Sequence, residues 1–214
     1  MAKIKQPKET FTLGRLAETF GLERVSTCAH LTEWLDAHSE FTPFQTELFN
    51  DIFQKAADEG NYWNEEELKI EMIGFLFYLA NINVPKQVKV FYERPLHALV
   101  EGHSLSVTAD CLIAKPLQFN EPSFPYFFLQ EYKKGRGEAK DPEAQMLTAM
   151  LIAQELNQDK KILYGSYLFG SRWRFCTLND KEYCQSREYN ADERDDLLQI
   201  VFILRKLKEL ILNR

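Results

Sequence analysis

The segment Phe127-Phe128-Leu129-Gln130-Glu131-Tyr132-Lys133-Lys134 joins an apolar, strand-like run to a Glu-x-Lys triplet, and an earlier strand-like stretch closes on Asp110. Side chains alternate along a strand, so Glu131 and Lys133 project from one side, about 7 Å apart. Two acids and one amine brought together suit metal-assisted hydrolysis. The carboxylates can hold a hard divalent cation, Mg²⁺ or Mn²⁺, and the ammonium can orient or help deprotonate the attacking water while offsetting charge on an oxyanion. The bland alternative is a surface ion pair between Glu131 and Lys133, worth little to stability, but the run from Tyr126 to Leu129 is too apolar for an exposed edge strand. Asp is also disfavoured within strands, which favours a functional reason for Asp110.

The elements that must position these residues follow from periodicity. Asn64 with Glu67 reads as an N-cap with an acidic N3 position, and Leu68, Met72, Phe75, Leu76 and Leu79 continue a buried helical face to about Asn81. From Gln87 the period falls to two through Val88, Val90 and Tyr92. After Pro95 the stretch Leu96 to Val100 leads to the turn signal Glu101-Gly102-His103. Leu105, Val107 and Ala109 mark the next strand, with Ser106, Thr108 and Asp110 on its other face, and a loop around Pro116 to Pro125 precedes the strand of Glu131. Asp141-Pro142-Glu143 starts a helix that runs to about Asn157. Strands Ile162 to Phe169 and Arg172 to Cys176 follow, and a capped apolar helix runs from Asp192 to about Asn213. Residues 11 to 60 read as short helices, one capped by Ser26 or Thr27 and another begun by Thr42-Pro43. The pattern predicts a mixed α/β fold in which an antiparallel three-strand meander is joined in parallel by the strand after the helix. Residues 1–60 form a helical extension to a domain of residues 61–214, the two making one compact unit.

Asp110 … Glu131-x-Lys133 in this element order, from roughly Asn64 to Phe175, resembles the PD-(D/E)xK nuclease superfamily. The run Glu131-Tyr132-Lys133-Lys134 with Asp141-Pro142 and Gln145, then Leu163-Tyr164-Gly165 and Arg172-Trp173-Arg174-Phe175, is similar to small stand-alone bacterial members and to the nuclease domains of type I restriction subunits. The resemblance implies a restriction-endonuclease-like α-β-β-β-α-β core and a Mg²⁺-dependent deoxyribonuclease. It assigns Asp110, Glu131 and the backbone carbonyl of Tyr132 as metal ligands and Lys133 as the residue that positions water. A first-helix glutamate would complete the metal shell, and Gln145 would contact the site. Ala109 stands where the namesake proline of the family would be, a position that is not a ligand. For the glutamate, Glu67 is the first choice and Glu71, on the same face at i, i+4, the second; Glu65 and Glu66 lie in the same two turns. A solvated acidic N-terminus favoured by the helix dipole is the alternative reading of this cluster.

The net charge of −6 over 214 residues excludes a uniformly basic nucleic-acid coat, so contact with DNA must be local. Lys134, Arg136 and Lys140, beside Lys133, form the expected patch, with Lys160 and Lys161 as a further pair. The four cysteines and four histidines show no zinc or disulfide spacing, so reduced, packing cysteines are expected. Nor does a P-loop or dinucleotide motif occur. Met1 to Gln6 lacks an apolar signal core, and the run Phe75 to Ala80 is too short to span a bilayer, so no membrane partner and a cytoplasmic location are expected. Leu197, Leu198, Val201, Phe202, Ile203 and Leu204 make the last helix apolar around most of its circumference. That predicts a two-fold homodimer through this helix, unless Trp34, Phe44, Phe49 and Phe53 cover it within one chain. The rival to the nuclease is a non-catalytic nucleic-acid-binding or regulatory scaffold of the same fold.

Overall fold

The computed structural model describes residues 11–133 and 141–214. Local signals set most boundaries. Helix α1 (Leu13–Phe20) is capped by Thr12 and ends at Gly21, whose φ of 60° suits a residue without Cβ. Strand β1 (Glu23–Val25) follows. Helix α2 (Ala29–Leu35) is capped by Cys28, whose Sγ accepts the Leu31 N–H, rather than by Ser26 or Thr27. Helix α3 (Pro43–Glu59) starts with a Thr42–Gln45 capping box and proline in its first turn. The next helix runs as α4 (Glu65–Leu68), a π-turn (Lys69–Ile73) and α5 (Gly74–Leu79), with Asn64 and Glu67 forming the expected capping box.

Three long strands follow, β2 (Lys89–Val100), β3 (His103–Pro116) and β4 (Pro122–Lys133). Helix α6 (Pro142–Asn157), capped by Asp141, crosses to β5 (Leu163–Phe169). Then come β6 (Arg172–Asn179), β7 (Glu182–Gln185), β8 (Tyr189–Asn190) and α7 (Arg194–Leu212). The eight strands form one mixed sheet in the order β1-β7-β6-β5-β4-β3-β2, with β8 beside β6. The meander β2-β3-β4 is antiparallel, and β5 joins β4 in parallel. A fold of mixed α/β class results. The sheet extends beyond the expected strands: β1 pairs parallel to β7, so the N-terminal segment contributes a strand as well as helices.

Helices cover both faces. On one, α6 and α1 bury Met146, Leu147, Met150 and Phe20 against Leu112, Leu129 and Cys176. On the other, α2 to α5 and α7 bury Trp34, Leu76, Ile203 and Leu204 against Ile113, Phe128 and Phe175. Trp34 ties this layer together. Its ring meets Phe128, Tyr164 and Phe175 edge-on at centroid distances of 5.0 to 6.2 Å, and its indole N–H donates to the Ile203 carbonyl at 2.9 Å.

This cover removes the reason for a dimer through the C-terminal helix. Leu197, Ile200, Val201, Ile203, Leu204 and Leu207 are wholly buried within one chain. Phe41 meets Phe202 at 5.5 Å, and the Arg205 guanidinium donates to the carbonyls of Leu79 and Glu40. Of the aromatics expected to provide the cover, Trp34 and Phe49 are buried and Phe44 stays exposed. No described helix is long and apolar enough to cross a membrane.

Strands β2 and β3 depart from the expectation in one further way. Pro95 does not interrupt β2, because β2 lies at the sheet edge where a missing N–H costs no ladder bond. Strand β3 continues to Pro116, so Asp110 sits in mid-strand. The burial alternation nonetheless reverses there. Leu105, Val107 and Ala109 share one apolar cluster with Leu112 and Ala114, whereas Cys111 and Ile113 face the other. On β2, Phe91 faces with Leu96 and Val100. The reversal falls at Glu93, a non-glycine residue at φ 53°, and at Asp110, which the flanking pairs Tyr92–Cys111 and Arg94–Ala109 set opposite it. Both strands therefore kink at the position that carries the acids.

Gly165 on β5 lets α6 sit close to the sheet. A Cβ there would lie 2.7 Å from Met146 Sδ, 2.9 Å from Met150 Sδ and 3.3 Å from the Leu129 carbonyl. Both methionines are fully buried, so Gly165→Ala should cost about 1–3 kcal/mol through overpacking. The urea midpoint should fall with an unchanged slope; an unchanged midpoint would show that α6 can move away freely.

Candidate metal and catalytic site

The ladder between β3 and β4 pairs Cys111 with Gln130, and continuing that register sets Asp110 directly opposite Glu131. Asp110 is fixed from below: its Oδ2 accepts the Tyr132 backbone N–H at 2.9 Å. Lys133 emerges beside the pair. Its Nζ donates to the Tyr132 carbonyl at 2.9 Å and lies 3.1 Å from Glu65 Oε1 and 3.7 Å from Asp110 Oδ2. The sequence-predicted Asp110, Glu131, Tyr132 carbonyl and Lys133 thus meet at the sheet kink.

Glu131 is the anomalous member. Its residue is 1% exposed, and among the described residues neither carboxylate oxygen accepts a well-formed hydrogen bond. Burial pushes its carboxyl pKa well up, and the adjacent Asp110 carboxylate raises it further, against the opposing pull of Lys133. Burial also raises Asp110, although the Tyr132 N–H and Lys133 favour its charged form. For Lys133, burial disfavours the cation, but Asp110, then Glu65 and Glu131, outweigh it and raise the pKa. Lys133 is consequently a firm ammonium at neutral pH. Of the two roles open to it, orienting water and stabilising anionic charge suit it; accepting a proton does not.

The first-helix assignment needs correcting. Glu67 is exposed, and its Oε2 accepts the Asn64 N–H at 2.7 Å in the capping box, which points it back along its own helix. Glu71 pairs with Lys55 at 2.5 Å, and Glu66 with Lys69 at 2.6 Å. Glu65 is the glutamate that reaches Lys133. Gln145 lies in the first turn of α6 with a buried Oε1 that accepts no hydrogen bond, and none joins it to Asp110, Glu131 or Lys133.

Lys134, Arg136 and Lys140 lie outside the described residues. Lys160 and Lys161 do not extend a patch around Lys133. Lys133 pairs with Phe169 at the far end of β5, eight residues beyond Lys161, or about 26 Å along the strand. Lys161 instead donates to the Arg214 carbonyl.

Sequence reasoning also passed over a second cation. Lys69 Nζ sits between Glu66 and Glu93, 2.6 and 2.7 Å from their oxygens, and 5.6 Å from the centroid of the Tyr132 ring. The π-turn that begins at Lys69 and the positive φ of Glu93 flank this contact. The available signal was Glu93-Arg94-Pro95, a charged interruption of an alternating strand. A cleft of about 630 Å³ opens alongside, lined in part by Tyr62, Trp63, Phe169, Gly170 and Arg172. One residue of its lining, Gly170, donates its N–H to the Lys133 carbonyl at 2.8 Å.

Among the described residues, no three His, Cys, Asp or Glu side chains form a ready-made metal cage. Asp110, Glu131 and the Tyr132 carbonyl offer a smaller oxygen set, the kind that suits Mg²⁺ when water and phosphate complete the octahedron. The two buried oxygens of Glu131 fit that use, because a cation would supply the partner that no donor among the described residues provides in good geometry. A scan of the sequence against protein-family models finds no match, and a search of curated proteins finds no significant one.

Removing the negative charge of Glu131 should stabilise the metal-free protein. Glu131→Gln keeps the volume and gives Asp110 an N–H donor, so stability at pH 7 to 8 should rise by about 1–3 kcal/mol. The folded pKa of Glu131 lies above the unfolded value of about 4.3, so the folded state holds more protons. Wild-type stability should therefore decline as pH climbs from that value through the folded pKa, and the variant should lose this contribution. Denaturant melts across pH 4 to 9 without metal decide it; a variant less stable than wild type at pH 8 would contradict the reading.

Proposed function

We propose that the protein is a metal-dependent nuclease that hydrolyses phosphodiester bonds, in DNA by preference. One observation carries the reading: a fully buried glutamate with no well-formed hydrogen bond from any described residue faces an aspartate on the neighbouring strand, with a lysine ammonium beside them. A structural ion pair would satisfy its acid, and this arrangement leaves Glu131 bare. The order α4/α5-β2-β3-β4-α6-β5 supports a restriction-endonuclease-like core, and the sequence resemblance to PD-(D/E)xK nucleases supports DNA as substrate.

Asp110, Glu131 and the Tyr132 carbonyl would hold Mg²⁺ or Mn²⁺, which supplies a Lewis acid and acidifies a bound water. The remaining work falls to the chain. The Tyr132 N–H locks the Asp110 carboxylate in place. Lys133, held between Glu65 and Asp110, presents its ammonium to the attacking water and the non-bridging phosphate oxygens, where negative charge grows in the transition state. Glu65 acts through Lys133 as a positioning residue. The cleft at Gly170, whose N–H bonds the Lys133 carbonyl, would give the nucleic acid a path away from the scissile bond.

Incubation with single- and double-stranded DNA and RNA plus Mg²⁺ or Mn²⁺ tests this. Wild-type protein should cleave DNA. Asp110→Asn, Glu131→Gln and Lys133→Ala should remain folded and lose cleavage, Glu65→Gln should slow it, and Glu67→Gln should leave the rate unchanged. Wild-type rates in Asp110→Asn or Glu131→Gln would sink the site assignment. A wild type that cuts none of the four substrates would leave the scaffold reading in its place.

A further inference from the structure

We propose that Cys28 and Cys184 form an oxidisable dithiol, converted by a peroxide into an intramolecular disulfide that bolts the start of α2 to β7. The argument is independent of the nuclease reading. Cys28 Sγ lies 3.3 Å from Thr177 Oγ1, and Thr177 is the antiparallel register partner of Cys184 on the neighbouring strand. Such partners have Cβ atoms about 4.5–5.5 Å apart. All three side chains belong to one face: Thr177 alternates with Phe175 and Trp173, and Cys28 and Cys184 join the same apolar cluster. Strand β1 brings Cys28 there, because Val25, three residues earlier, pairs with Cys184 itself. The two thiols are thereby within the range that a disulfide spans after small side-chain rotations.

The pair is also asymmetric in the way that sequential oxidation requires. Cys28 is partly exposed, whereas Cys184 is buried. Burial, together with the neighbouring Cys28 thiol, pushes the Cys184 thiol up to about 11, so Cys28 is the sulfur that meets an oxidant in solution. The other two cysteines have no such partner. Cys111 lies on β3, four strand spacings or about 19 Å from β7. Cys176 faces the opposite layer, where the Tyr183 hydroxyl donates to its Sγ at 3.1 Å.

The chemistry balances in two steps. The Cys28 thiolate attacks one peroxide oxygen, the O–O bond breaks, and Cys28 sulfenic acid and hydroxide form. The Cys184 sulfur then attacks the Cys28 sulfur, the S–O bond breaks, and the thiol proton leaves with the hydroxyl as water. The two sulfurs together lose two electrons, and the peroxide gains them. The resulting bond would replace the Cys28–Thr177 contact and fix the helix that carries Trp34.

Treatment of the full chain with hydrogen peroxide, followed by alkylation and intact-mass analysis under non-reducing conditions, tests the proposal. The product should be lighter by two hydrogens before alkylation, keep two alkylatable thiols, and yield one crosslinked peptide pair containing Cys28 and Cys184. Its melting temperature should rise by several degrees and return on reduction, because the loop closed is long. Cys184→Ser should give no crosslink and a dimedone-reactive sulfenic acid on Cys28. Cys28→Ser, which retains an oxygen to cap α2, should fold and give no crosslink. Four alkylatable thiols remaining in the wild type, or a crosslink that maps to other cysteines or joins two chains, would overturn it.

Discussion

Burying two carboxylates side by side is the constraint around which the molecule is arranged. Two such charges roughly 4 Å apart in a protein-like medium repel by about 4 kcal/mol, beyond the cost of taking them out of water. Among the described residues, Asp110 and Glu131 receive too little to offset this: one backbone N–H and one shared ammonium for Asp110, and no well-formed hydrogen bond for Glu131. With Glu65 counted, three carboxylates and one lysine meet there among the described residues, an excess of two negative charges that one divalent cation would neutralise. A proton on Glu131 is the partial substitute, and the upward shift of its pKa expresses it.

Such a placement persists only where the surroundings are too rigid to relax it. The apolar layers on both sheet faces provide that rigidity, with Trp34 and α7 on one side and α6 seated over Gly165 on the other. Several local irregularities meet at the site. The π-turn at Lys69–Ile73, the positive φ of Glu93 and the reversed alternation of β2 and β3 all converge on Asp110, consistent with strain being tolerated where it positions functional groups. Lys69, bridging Glu66 and Glu93, keeps a further carboxylate occupied close to the pair.

The helices and long strands were legible because their signals are local: the Asn64–Glu67 and Thr42–Gln45 boxes, Asp141-Pro142, and the change of period after Gln87. So was the parallel entry of β5, which a crossover helix enforces. Strands β1, β7 and β8 were not, since two to four residues carry no periodicity and pair only once the sheet exists. That Asp110, Glu131 and Lys133 meet in one place was legible from residue type and strand phase. Glu67 misled because a capping residue and a site residue can both be glutamates in a first turn; only the direction in which the helix meets β4 distinguishes Glu65. The apolar circumference of α7 likewise reads the same whether a partner or the chain's own N-terminal helices cover it.

Calorimetric titration of the metal-free protein with Mg²⁺ or Mn²⁺, in two buffers of different ionisation heat, addresses the buried pair most directly. One cation per chain should bind, with proton release that diminishes as pH rises past the Glu131 pKa, and Glu131→Gln should abolish both signals. Absence of binding by the wild type, or equal binding by Glu131→Gln, would contradict the assignment of Asp110 and Glu131 as a cation site.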